Sequence, residues 1–327
     1  MKEAVFLKRN KEKWKKFEQI VSNTQHSNPD ELAEVFIDLT DDLAYAQTYY
    51  PKSRTTFYLN HLTANIHQTI YRNKKEEKGR FIKFWGYELP YIFHSAHKQL
   101  LYSFLVFAVA ALIGIVSTAE DDTFIRLILG DTYVNRTLEN IERGDPMAVY
   151  KSSGQVEMFL GITLNNIMVS FKAFVWGGVI GNFPVFLLLS GGTAFLLLYN
   201  GIMLGAFQYF FYQKGLFWYS ASVIWLHGTL EISAIVIAGC AGFVMGNALL
   251  FPKTYSRLYS FQKGAIKGLK IIIGLVPIFI TAGFIESFIT RYADMPLPLK
   301  LLIIFGSAAF IVYYFIIYPI QINKNRS

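Results

Sequence analysis

The sequence predicts an all-α, polytopic membrane protein with about six transmembrane helices and a helical cytoplasmic N-terminal domain. Three observations carry this reading. The 327-residue chain is 53% hydrophobic and 17% charged, with a mean hydropathy of +0.32. Its apolar residues concentrate beyond residue 99, in runs that reach the roughly 20 residues needed to cross a hydrocarbon core. Its basic and acidic residues fall into separate segments, as expected where alternate loops face opposite sides of a membrane.

The N-terminal part divides into a cytoplasmic helical bundle over 1–80 and an interfacial helix over 81–99. Residues 5–21 space Trp14, Phe17, Ile20 and Val21 on one face. Asn28 is a helix cap, with Pro29 in the first turn and early acids behind it. Leu32, Val35, Phe36, Leu39, Leu43 and Ala46 follow at helical spacing until Pro51 stops the run. A further helix carries Phe57, Leu59, Leu62, Ile66 and Ile70. The run KKEEKGR at 74–80 is a solvated hinge. His61, His67, His94 and His97 have no ligand set around them and read as solvated or interfacial. The first residues, MKEAVFLKRNKEKWKKF, show no apolar core or cleavage site, so the first span is expected to serve as the insertion signal.

The membrane domain occupies 100–327, with spans at about 100–117, 165–189, 192–212, 218–248, 271–290 and 299–319. The loop 118–164 holds four basic residues against eight acids, a balance of −4. It reads as external, with short amphipathic pieces ended by Gly130 and by Gly144-Asp145-Pro146. Asn135-Arg136-Thr137 matches a glycosylation acceptor, a short and common motif. By contrast Lys253, Arg257, Lys263, Lys267 and Lys270 crowd a short segment with no acid. Putting that segment, the N-terminus and the C-terminus inside satisfies the positive-inside rule, and the basic face suits anionic lipid rather than nucleic acid. Gly177 and Gly181, Gly201 and Gly205, and Gly242 and Gly246 stand four apart. Small residues at that spacing let helices approach closely, within one chain or in a homo-oligomer. Pro184 is expected to kink the second span. The lone cysteine, Cys240, lies inside a span and reads as a small packing residue.

His227 and Glu231 interrupt an apolar run and share a helix face at i and i+4. A charge at the centre of a span costs about 2.5–3.5 kcal/mol, so such groups are paired, protonated or hydrated. Lys172, Asn200, Asn165, Asn166 and Glu286 fall at similar depth and complete an intramembrane polar cluster in the outer half, with Lys172 a counter-ion for Glu231. Three readings stay open: a hydrogen-bonded staple, a hydrated cavity that handles a proton, ion or lipid group, and a metal-dependent intramembrane hydrolase. His and Glu at this spacing can both ligate zinc, but catalytic zinc sites take three protein ligands and no second intramembrane His is present. The sequence therefore assigns no catalytic residue, no metal and no cofactor. It has no HExxH, GxSxG, P-loop or dinucleotide fingerprint.

The pieces NNIMVSF (165–171) with Gly177 downstream, YNGIMLG (199–205) and HGTLEISAIVIAGCAGFVMG (227–246) resemble the stage II sporulation protein M family of bacterial membrane proteins. The segment 41–71 is similar to the cytosolic extension of its non-sporulation branch. In endospore formers the family member is a membrane scaffold that works with two peptidoglycan-degrading partners during engulfment. The resemblance implies an inner-membrane scaffold whose cytoplasmic domain or external loop gathers protein partners acting on the envelope. The alternative is a transporter or channel-like protein built on the polar cluster.

Overall fold

A computed structural model describes residues 2–22, 29–72, 79–151, 154–176, 191–292 and 295–324. Gly177, Gly181 and Pro184 lie outside the described residues. The chain forms two compact units, Met1–Arg80 and Phe81–Ser327.

The first unit is a bundle of α1 (Glu3–Ser22), α2 (Pro29–Tyr49) and α3 (Arg54–Arg72). Leu39, Ala46, Leu59 and Ile66 are fully buried between the helices, with Phe6, Trp14, Val35 and Leu62 around them. Trp14 satisfies its indole N–H by donating to Asp42 Oδ2 at 2.8 Å. The break at Pro51 is closed by side chains: Ser53 Oγ accepts from the Thr56 N–H at 3.2 Å, and Thr56 Oγ1 donates to the Tyr50 carbonyl at 2.7 Å. The first turn of α3 is thus capped as an ST motif caps a helix.

Among the described residues, the second unit holds six helices long and apolar enough to cross a membrane. A short α4 (Arg80–Lys83) continues through a π-helical turn, Phe84–Glu88, into α5 (Leu89–Ser95). Its chain bends at Ala96 before α6 (His97–Glu120). The segment read as interfacial is two-faced. Phe81 and Ile82 are exposed, while Leu89, Ile92 and Phe93 enter the main core. Glu88 pairs with Lys270, and Tyr314 and Tyr318 donate hydroxyls to the carbonyls of Trp85 and Gly86.

Two short helices follow, α7 (Phe124–Leu129) and α8 (Asp131–Glu142), before α9 (Gln155–Val175). Then come α10 (Gly191–Gln213), α11 (Phe217–Leu250) and α12 (Arg257–Phe284). A π-helical turn, Ile285–Thr290, extends α12, and α13 (Leu297–Val312) continues through a third π turn into α14 (Tyr318–Lys324). The second span begins at Gln155, about ten residues before the apolar run suggested, because Glu157 is tolerated in its first turn at the positive end of the helix. The fifth likewise starts at Arg257, its basic residues forming the first turns of a continuous helix.

α11 is the centre of this unit, with Leu226, Ala234, Ala238, Gly239, Cys240 and Ala241 among its enclosed residues. α13 instead turns Leu302, Phe305 and Phe310 outward, as lipid-facing helices do. Small residues set the closest approaches. A Cβ on Gly205 would stand 2.0 Å from the Ala111 carbonyl oxygen, one on Gly201 2.6 Å from the Ala110 Cβ, and one on Gly114 2.2 Å from the Ile202 oxygen. Hence α6 and α10 touch backbone to backbone. Gly242 receives Thr193 of α10, whose hydroxyl donates to the Ala173 carbonyl of α9 at 2.7 Å, so three helices meet there. Gly246 is buried as well. Cys240 is fully buried, its thiol 3.8 Å from the Ala96 carbonyl.

Candidate functional site: a buried His–Glu–Glu centre

The site is built by three stretches distant in sequence. α11 supplies His227 and Glu231 from one face. The π turn after α12 supplies Glu286 and Thr290. A π turn accommodates one extra residue per hydrogen-bonded loop, which re-aims side chains and recurs at functional sites. α9 contributes Asn166.

His227 is 5% exposed. Its Nδ1 lies 3.1 Å from the Thr290 hydroxyl, and that hydroxyl donates its one proton to the Ile285 carbonyl at 3.2 Å. With the Thr290 proton on the Ile285 carbonyl, Oγ1 is left to accept from Nδ1–H, and in that tautomer Nε2 carries the imidazole lone pair. Nε2 points to Glu286, 3.8 Å from its Oε1. One ligating atom from each of His227, Glu231 and Glu286 lies within 4.8 Å of the other two.

The Glu231 carboxyl faces the side-chain amide of Asn166. Asn166 is 5% exposed, and its Nδ2 makes no hydrogen bond of ordinary geometry among the described residues. From outside the spans, Tyr133 of α8 comes within electrostatic reach of Glu286. Burial, and secondarily the Glu286 charge, hold its phenol above the usual range. Nothing in the sequence around Tyr133 signals this approach, because it depends on how α8 folds back.

The remaining polar residues of the predicted cluster are placed elsewhere. Lys172 sits in the last turn of α9, exposed and without an ion pair to Glu231. Asn165 is exposed. Asn200 donates to the Leu196 carbonyl of its own helix at 2.8 Å. The cluster of seven thus resolves into four that meet and three that do not. The helix begins at Gln155, so Asn166 is at mid-helix and Lys172 more than a turn further along.

Two shallow apolar grooves lie on the surface. One, of about 350 Å³, runs between α11, α12 and α13 past Leu230, Pro277, Ile278, Gly306 and Phe310. The other follows Val109, Leu112, Ile113 and Val116 on α6. Neither is lined by the His–Glu–Glu residues.

Fold and site together define a multi-pass α-helical membrane protein that gathers ionisable residues between its helices. The model of the family Stage II sporulation protein M matches residues 103–291, and the chain belongs to that family. That stretch contains Asn166, His227, Glu231, Glu286 and Thr290. Residues 4–72 match a second family model, described as a domain of unknown function, DUF8413. No curated protein and no solved structure matches the chain.

Proposed function

We propose that the protein is a non-enzymatic scaffold of the bacterial cytoplasmic membrane, which gathers partners acting on the cell envelope. The observation that carries this reading is the pairing of two separately packed units in one chain. A helix bundle with its own core and its own family match precedes a membrane body with its own core and family match. A polar module tethered to a multi-span anchor suits recruitment. The bundle and both termini face the cytoplasm in this account, with the basic run 253–270 on the same side. The acidic stretch 120–157 and the 213–217 turn share the other side. A hydrogen bond from Gln213 to Asp122 at 3.0 Å supports that grouping.

The recruitment reading is tested by deleting residues 2–72 and cross-linking the protein in native membranes. The shortened chain should insert and pack normally yet lose the protein complexes captured with the full chain. Recovery of the same complexes would overturn it.

A further inference from the structure

The geometry points to a transition-metal site formed by His227 Nε2 and the carboxylates of Glu231 and Glu286, holding a zinc-class divalent cation inside the membrane body. This goes beyond recruitment and does not depend on it.

The donors fit such an ion and fit other cations poorly. Three donor atoms already lie within 4.8 Å of one another. In a tetrahedral zinc site with bonds of about 2.0–2.2 Å, ligand atoms stand roughly 3.3–3.5 Å apart. Closing the gap takes a shift of about an ångström in the donor atoms. Imidazole with two carboxylates is a donor set for a first-row transition ion. Calcium takes six to eight oxygens, and magnesium keeps several waters around an octahedron.

Two further observations point the same way. The first is the orientation of His227. Its Nδ1 lies 3.1 Å from Thr290, whose hydroxyl also reaches the Ile285 carbonyl, and its Nε2 faces Glu286; in the tautomer with the proton on Nδ1 the Nε2 lone pair is open to a metal. A ligating histidine is held in this way by a second-shell acceptor on its other nitrogen. The second is Asn166, nine-tenths buried, with an amide aimed at Glu231 and Nδ2 without a hydrogen bond of its own among the described residues. A carboxylate drawn onto a metal leaves one oxygen for that amide to hold. A fourth coordination position remains for a water or for the Asn166 carbonyl.

Charge gives the physical motive. Two ionised carboxylates and a neutral imidazole carry −2, which is expensive within a span. A divalent cation brings the centre to zero and adds metal–ligand bonds to the His227–Thr290 contact that already joins α11 to the π turn.

The test uses full-length protein in detergent. After stripping with chelator, it is titrated with Zn²⁺, and separately with Co²⁺, whose visible ligand-field bands report tetrahedral coordination by nitrogen and oxygen. The expected result is one bound equivalent per chain with such a spectrum. Glu286→Gln and Glu231→Gln, nearly isosteric, should each weaken binding at least tenfold while keeping helical content. Thr290→Val, which touches no metal, should weaken it by about ten- to a hundredfold. The proposal is overturned if folded wild-type protein binds less than a tenth of an equivalent. It is equally overturned if both glutamine variants bind as the wild type does, which would put the ion at another site.

Discussion

The imidazole of His227 and the hydroxyl of Thr290 stand 3.1 Å apart, joining the middle of α11 to the end of the π turn that follows α12. Thr290 is fully buried. Valine there keeps the shape and removes the acceptor, leaving the Nδ1–H unpaired. Buried orphaned donors cost about 1–3 kcal/mol in water-soluble proteins, but interhelical bonds in membranes average about 0.6. Thr290→Val should therefore destabilise the membrane unit by roughly 1 kcal/mol, read as a lowered unfolding midpoint in a denaturing-detergent titration.

Close helix approach gives a sharper contrast. Gly205→Ala places a methyl 2.0 Å from the Ala111 carbonyl oxygen, where only backbone movement can relieve it. A loss of about 1–3 kcal/mol is expected as α6 and α10 separate. Gly161→Ala and Gly306→Ala meet nothing within 4 Å and should unfold at the wild-type midpoint or slightly above it. The three variants, compared in one detergent series, decide whether the glycines serve contacts within the chain.

In the N-terminal unit, Trp14 is 2% exposed and bound to Asp42. Trp14→Ala removes the largest side chain of that core and should cost about 3–5 kcal/mol. Limited proteolysis of the full-length protein should then cut within 2–72 far faster, with the membrane unit left intact.

Much of this architecture is legible in the sequence, and the reasons for the rest are physical. Leu39, Ala46, Leu59 and Ile66 are core residues in a helical pattern, which periodicity reveals. The six spans follow from hydropathy. Their ends do not, because a single acid such as Glu157 is accommodated in a first turn. That shift puts Lys172 more than a turn beyond Asn166, away from Glu231, whereas Asn200, on a span whose ends agree, spends its amide on the Leu196 carbonyl of its own helix. Glu286 was within view as a polar residue at similar depth. Its convergence on His227 depends on a π turn, which no residue pattern announces. Tyr133 was missed, since its approach to Glu286 depends on how α8 packs over the spans.

A pH effect is expected outside the membrane. Tyr58 donates to Glu18 at 2.9 Å, and burial followed by that hydrogen bond pushes its phenol from 10.0 up to about 12. The folded state therefore holds the proton more tightly than the unfolded chain. Its stabilising contribution is complete below pH 10 and is lost as pH rises from 10 to about 12. Comparing the alkaline loss of bundle structure in wild type and Tyr58→Phe isolates this group. The variant should lack the portion of pH sensitivity that falls in that window, and identical curves would remove Tyr58 from the account.

The central structural claim is that α11 and the π turn after α12 converge on one buried centre. It is tested most directly with Glu231→Cys and Glu286→Cys in a Cys240→Ser background, treated in native membranes with a short bifunctional thiol reagent. A protease site placed in the 251–256 loop would then be cut. The account predicts that the two fragments stay joined until the cross-link is reduced. Fragments that separate although both cysteines have reacted would contradict it.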